Sequence, residues 1–255
     1  MIIKTRFAPS PTGWLHIGGV RTALYSWLYA KKNNGKFYLR IDDTDTTRST
    51  DEYKNSIISA LTQLGLKHDD EITYQSNRFD HYIDKIEELL NKDMAYYDKV
   101  EVNEKTKETD LSVQYENRLN KEGYVIRFKN QKESSVTISD SVHGEITFDP
   151  KVFFDVVILR SNGVPTYNLT SVVDDIDLGI THLIRGDDHL SNLPVQVNLF
   201  ESLNAKVPAF AHLPMIHGVD GKRLSKRHGA VDINHFLNEG YRVCLLYTSP
   251  SPRDP

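Results

Sequence analysis

The sequence holds a single cysteine, Cys244, in 255 residues. An intramolecular disulfide is therefore excluded, as is every zinc or iron–sulfur site built on a cysteine cluster. One lone thiol fits a reducing, cytoplasmic setting. Long apolar runs are also missing. Val156-Val157-Ile158-Leu159 is typical of those present, whereas a bilayer-spanning helix needs ~20 apolar residues, so no membrane partner is expected. The opening Met1-Ile2-Ile3-Lys4 turns polar at once, and no secretory leader is expected there. No Gly-x-Gly-x-x-Gly fingerprint occurs, and Lys222 is followed by Arg223 rather than Ser or Thr, so there is no Walker A loop. A surplus of positive charge is lacking as well. Lys+Arg is 31 against 35 Asp+Glu, a net charge of −4. That balance excludes a uniformly basic nucleic-acid coat, but it leaves room for a local basic groove.

What is present is an ordinary globular composition, 39% hydrophobic and 26% charged, with chain enough for one large domain or two small ones. Residues 1–41 carry seven Lys/Arg and no acid, which suits an anion-binding region. Ile2 to Ala8 reads as a strand entering the turn-rich Pro9-Ser10-Pro11-Thr12-Gly13. Val20, Ala23, Leu24, Trp27 and Leu28 follow at helical spacing, and Asn33-Asn34-Gly35 closes the helix. Phe37–Ile41 is a second strand, so the chain opens on a βαβ unit and a parallel sheet. Helices are predicted over 51–64 and 78–92. The pattern then changes to short strands at Tyr124–Phe128, Val136–Ser139, Glu145–Phe148 and Phe153–Leu159, with a turn at Asn162-Gly163. A βα pattern returns after Tyr167, with a strand at Thr181–Ile184 and a helix marked by Leu193, Val197, Phe200 and Leu203. The middle therefore reads as an insertion into an α/β domain.

Three constellations can carry chemistry. His16-Ile-Gly18-Gly19 sits where a strand hands over to a helix. There, free backbone N–H groups and the helix dipole suit a phosphate, and His16 either donates to a phosphoryl oxygen or is a plain turn histidine. Gly218 to Gly229 gathers Lys222, Arg223, Lys226, Arg227 and His228. This is either a loop able to close over a polyphosphate or a solvated basic surface. Acids follow strand ends: Asp42-Asp43-Thr44-Asp45 and Asp187-Asp188, with Asp174-Asp175 and Asp177 expected near another. They either hold an ammonium group, ribose hydroxyls or Mg²⁺, or cap the next helix.

In order, Arg6-Phe-Ala-Pro-Ser-Pro-Thr-Gly13, His16-Ile-Gly-Gly19, Arg40-Ile-Asp-Asp-Thr-Asp45, Pro165-Thr-Tyr167, Arg185-Gly-Asp-Asp-His189 and Arg223-Leu-Ser-Lys-Arg227 span residues 2–241. The series resembles the catalytic region of bacterial-type glutamyl-tRNA synthetase, a class I aminoacyl-tRNA synthetase. The resemblance implies an α/β fold with a Rossmann-type parallel sheet in two halves, 1–74 and 161–241. Between them, residues 75–160 would form an α+β insertion that binds the tRNA acceptor stem. It implies a glutamate–tRNA ligase using ATP and Mg²⁺, with tRNA(Glu) and L-glutamate as partners and a cytoplasmic monomer as the setting. His16 and Gly18 then belong to the "HIGH" signature, Arg223 and Lys226 to the "KMSKS" signature, and all four serve catalysis and ATP. Asp188 and His189 lie near ATP. Arg6, Ala8, Ser10, Asp42, Tyr167, Ser171 and Arg185 form the glutamate pocket, the arginines for carboxylates and Asp42 for the α-amino group. Relatives of this type generally need tRNA to activate the amino acid.

The sequence departs from the family pattern in several places. Gly19 stands fourth in "HIGH", and Arg223 replaces the first lysine of "KMSKS". Asp42 and Asp188 stand where many relatives have glutamate, and Ser171 where some have asparagine. Asp98-Lys99 follows Ala95-Tyr96-Tyr97 where zinc-binding relatives have cysteines, so no zinc and no protein metal ligand is expected. Arg118, Lys121, Arg127, Lys129 and Lys132 are candidate phosphate contacts or a plain solvated face. Residues 242–255 match nothing expected of the family and are read as a disordered tail in place of an anticodon-binding domain. Two other readings therefore stand beside the ligase: the stand-alone paralogue that glutamylates a modified anticodon base of aspartate tRNA, and a binding-only fragment.

Overall fold

The structure is a computed structural model and describes residues 2–45, 47–100, 114–130, 134–216 and Ile233. The chain opens as the sequence suggests. β1 (Lys4–Phe7), α1 (Ile17–Lys32) and β2 (Lys36–Ile41) form a parallel βαβ unit, registered Lys4 to Lys36 through Phe7 to Leu39. Val20, Ala23 and Ala30 bury the inner face of α1, while Leu28 is 47% exposed and faces away from the core. α2 (Asp51–Gln63) is capped by Thr50, whose side chain accepts from Tyr53 N–H, and Gly65 ends it at φ +72°. The two-residue β3 (Thr73–Tyr74) then joins β2, again in parallel.

α3 (Phe79–Asn91) leads into an antiparallel sheet ordered β4 (Ala95–Lys99), β5 (Tyr124–Phe128) and β8 (Val156–Leu159). The last strand is shorter than predicted, because Phe154 is 66% exposed. The hairpin β6 (Val136–Asp140) and β7 (Gly144–Phe148) goes elsewhere. β6 pairs in parallel with β10 (Ala209–Leu213), which pairs in parallel with β9 (His182–Gly186). β9 in turn runs beside β1, where Thr181 N–H donates to Lys4 O at 2.9 Å and Lys4 N–H to Thr181 Oγ1 at 2.8 Å. The parallel strands thus rejoin across 177 residues of chain.

α4 (Tyr167–Asp177) and α5 (Leu193–Ser202) complete the described elements. Asp174, Asp175 and Asp177 lie in the last turns of α4, so the expectation that they lie near a strand end is corrected. One continuous core contains Phe79 and Ile83 of α3, Ile126 and Phe128 of β5, Leu169 and Val173 of α4, and Leu199 and Phe200 of α5. Segment 75–160 therefore shares its core with the second half. Among the described residues, no helix is long and apolar enough to cross a membrane.

Candidate active site

The carboxyl ends of β1, β2 and β9 and the amino termini of α1 and α4 surround one cavity of about 360 Å³. Arg6, Ala8, Ser10, His16, Gly18, Asp42, Tyr167, Arg185, Asp188 and His189 all line it. Ser171 does not. It is 1% exposed on α4, where its Oγ accepts from Arg40 Nη2 at 3.4 Å. The structure thus sets Ser171 in an ion network behind the cavity rather than in the expected pocket.

His16 is the N-cap of α1, and its Nδ1 accepts the Gly19 N–H at 3.2 Å. In the neutral ring that acceptor role puts the proton on Nε2, which becomes the imidazole's donor. Helix capping and phosphate contact therefore fall to different nitrogens of one ring. A Cβ at position 18 would come within 3.1 Å of His16 Nδ1 and Cε1, so Gly18 gives the imidazole its room.

The two pocket arginines differ in state. Arg6 is forked by Asp175, with Nε at 3.0 Å from Oδ1 and Nη2 at 3.4 Å from Oδ2. Arg185 Nε donates to His212 Nε2 at 2.9 Å, and Nη1 donates to Gln196 Oε1 at 2.6 Å and Tyr167 Oη at 3.5 Å. Its Nη2 is buried with no hydrogen-bond partner among the described residues. Burial lowers the Arg185 pKa, but a guanidinium stays charged at neutral pH. The cavity therefore presents a buried cation with one vacant donor, a strong demand for an anion.

Behind the cavity runs a dry chain of charges. Arg40, 0% exposed, forks Asp42 at 2.6 and 3.1 Å and reaches Asp175 Oδ1 at 2.9 Å. Asp174 takes Gln75, Arg78 and Tyr82 at 2.8–2.9 Å. Burial raises Asp42 to a pKa of about 6, against the pull of Arg40. Burial, then the nearby Arg185 charge, pushes His189 down to about 4, so it meets Tyr167 Oη as a neutral ring, 3.0 Å away.

A family model described as tRNA synthetases class I (E and Q), catalytic domain, matches residues 2–248. The chain belongs to this family. The match runs past residue 241, into the stretch that the sequence pattern places outside the fold. This synthetase domain is 50% identical to a glutamate–tRNA ligase of Francisella tularensis subsp. novicida, over 94% of this chain and 54% of the relative. Glutamate–tRNA ligase 1 of Alkalilimnicola ehrlichii is 49% identical over the same shares. The chain thus spans about half the length of the curated relatives it matches. Among solved structures, a glutamate tRNA ligase from Elizabethkingia meningosepticum in complex with its amino acid aligns with TM-score 0.77 and 34% identity. It covers 90% of this chain and 53% of that one. The synthetase of Elizabethkingia anophelis gives 0.78 and 35% over the same shares.

Other expected residues of the synthetase domain lie apart from the cavity. Arg118 pairs with Asp84 and Glu87, Arg127 with Asp98 and Lys129 with Asp93, while Lys121 sits 4.3 Å from the Tyr124 ring centroid. These four cations already have internal partners, and Lys132 lies outside the described residues. Arg223 and Lys226 also lie outside them. Sequence reasoning did not single out Gln196 or His212, gave Arg40 only as the first residue of a motif, and gave Asp175 only among the acids expected near a strand end. Arg40 carries a local signal as a buried-strand arginine two residues before Asp42, and Asp175 as part of an acidic cluster.

Proposed function

We propose that this domain activates L-glutamate with ATP and passes it to the acceptor end of tRNA(Glu). The observation that carries the reading is the vacant, buried Nη2 of Arg185 in a cavity that also holds the capped amino terminus of α1. One end suits a carboxylate and the other a phosphate. The side-chain carboxylate of glutamate docks on Arg185 beside Tyr167, and Asp42 receives the ammonium group. Glutamine is refused because its neutral amide leaves the Arg185 charge unpaired.

In the first step an α-carboxylate oxygen attacks the α-phosphorus of ATP. A C–O–P linkage forms, the bond from phosphorus to the bridging oxygen of the β-phosphate breaks, and its electron pair leaves with pyrophosphate. Charge grows on the phosphoryl oxygens, where His16 Nε2–H and the first amides of α1 are the donors. Arg223 and Lys226, by their place in the sequence, add charge for the departing pyrophosphate. A terminal ribose hydroxyl of tRNA then takes the acyl group and releases AMP, with residues 75–160 meeting the acceptor stem. Arg40 holds both oxygens of Asp42, which leaves lone pairs for an ammonium but sets a fixed cation against any metal ion there. Mg²⁺ would instead come with ATP, as the counter-ion of its phosphates.

Glutamate-dependent ATP–pyrophosphate exchange, run with and without tRNA(Glu), tests this. Exchange that needs tRNA is the expected result; none in either tube, from folded protein, would reject the reading. Glutamate incorporation into tRNA(Asp) that survives periodate treatment of the terminal ribose would point instead to the base-modifying paralogue. His16→Asn separates the two jobs of that ring, since Asn retains the cap but removes the Nε2 donor. Exchange kcat is expected to fall about 100-fold with melting temperature unchanged; equal loss of both would make His16 merely structural.

Asp42 sets a pH dependence. Below about 6 it gains a proton and loses its hold on an ammonium, so glutamate KM is expected to rise as pH falls from 7 to 5. Its effect on folding has its own sign. The folded pKa exceeds the ordinary 3.8, so folding takes up a proton between about 4 and 6, and stability falls as pH rises through that window. A glutamate KM flat from pH 5 to 7 would remove Asp42 from the pocket.

A further inference from the structure

A second buried chain of hydrogen bonds reaches Arg185 from behind. His212 on β10 is 0% exposed and Asp140 on β6 is 2% exposed. An arginine Nε–H can only donate, so His212 Nε2, 2.9 Å away, meets it with a lone pair. The ring proton then sits on Nδ1, 2.7 Å from Asp140 Oδ2. Asp140 is itself held by the tight turn after β6. Its Oδ1 accepts the backbone N–H of Val142 at 2.9 Å and of His143 at 3.1 Å, and the His212 N–H reaches Oδ2 at 3.1 Å. His143 of that turn also bonds Asp187, two residues beyond Arg185, at 2.9 Å. Burial and the Arg185 charge lower the His212 pKa, which keeps the ring neutral.

We propose that His212 and Asp140 are positioning residues for the anion-binding guanidinium: Asp140 fixes the Nδ1–H tautomer of His212, and the neutral ring steers Arg185 without cancelling its charge. Arg6 shows the alternative, since a carboxylate in direct contact both orients and neutralises it. His212 delivers the orientation while the counter-charge stays one residue further back, and the substrate carboxylate supplies the missing partner. The hairpin that carries Asp140 belongs to segment 75–160, so this segment helps to set the substrate pocket as well as flanking it. The inference rests on Arg185 receiving the glutamate carboxylate.

Asp140→Asn inverts the relay. Its Oδ1 keeps the turn N–H groups, which leaves the amide N–H aimed at His212 Nδ1. The ring then takes the Nε2–H tautomer, donor against donor at Arg185, the fault that a carboxylate-to-amide change produces in a catalytic triad. Glutamate KM is expected to rise about tenfold or more, with exchange kcat within about threefold of wild type. His212→Gln offers Arg185 an acceptor that has no tautomer and is expected to hold KM within about threefold. In the Asp140→Asn/His212→Gln double variant the asparagine penalty should disappear. Nitrogen-15 spectra of histidine-labelled full chain read the ring directly, Nδ1–H in wild type and Nε2–H in Asp140→Asn. A wild type without exchange rejects the ligase reading, while the spectra still decide the relay. An Nε2–H ring in the wild type, an unflipped ring in Asp140→Asn, or a flipped ring with unchanged glutamate KM overturns the proposal.

Discussion

Arg185→Met is expected to raise glutamate KM at least about 100-fold, or to end glutamate-dependent exchange, while the folded protein survives. The two effects separate because Arg185 is a buried cation that forms no ion pair among the described residues. Removing an uncompensated charge relieves a desolvation cost. Against that gain, Gln196 Oε1 and His212 Nε2 lose a donor, each worth roughly 1–3 kcal/mol when left unmet. These terms offset, so the melting temperature should shift by only a few degrees. Binding has no such offset. A substrate carboxylate brought into the cavity without its guanidinium is itself an unpaired buried charge, and the loss of a charge-assisted fork is worth several kcal/mol. Exchange titrated with glutamate, beside a thermal melt, measures both. A KM within tenfold of wild type would show that Arg6, not Arg185, receives the carboxylate.

Asp175→Asn should act in the opposite sense, on stability first. Asp175 is 1% exposed and serves two buried cations, Arg6 through Nε and Nη2 and Arg40 through Nη1. Removing one partner of a buried ionic network leaves charges stranded, at about 3–5 kcal/mol. For a chain of this size that lowers the melting temperature by roughly 10 °C or more. Urea unfolding of the variant measures it. Asp70→Asn is the matched surface control. Its pair with Lys36 is about half exposed on both sides, so no change in melting temperature is expected. Asp175→Asn behaving like that control would mean that water, not Asp175, solvates Arg6 and Arg40.

Local pattern carried the amino-terminal half well. α1 follows from apolar spacing, a glycine-bearing loop before it and Asn33-Asn34-Gly35 after it, and β5 is found at its predicted bounds. α4 hid because Tyr-Asn-Leu-Thr-Ser-Val-Val-Asp-Asp-Ile-Asp is rich in β-branched and short polar residues. Packing against α3 and α5 makes it a helix, which is why its acids read from sequence as lying near a strand end. β3, at two residues, is too short for a period and is held by its pairing with β2; β10 is as long as β5, but its Ala-Phe-Ala-His-Leu lacks the β-branched residues that mark a strand, and pairing with β6 and β9 holds it. In the site, Arg6, His16, Asp42, Tyr167 and Arg185 were visible as parts of motifs. Gln196 and His212 were not, since each earns its place through one hydrogen bond to a residue 11 or 27 positions away.

The buried network also has a schedule. Arg40 meets Asp175 across 135 residues of chain, and Arg6 meets it across 169. A ribosome adding roughly 5–20 residues per second makes both cations on the order of ten seconds before Asp175 exists, and until then Arg40 has Asp42 beside it while Arg6 has no such neighbour in sequence. During that interval the first βαβ unit has its strands and its helix but no means of drying its own interior. It must wait hydrated, or in the keeping of a chaperone, until α4 emerges. The price of a substrate pocket assembled from both ends of the domain is thus a first βαβ unit that stays unfinished until α4 has been made.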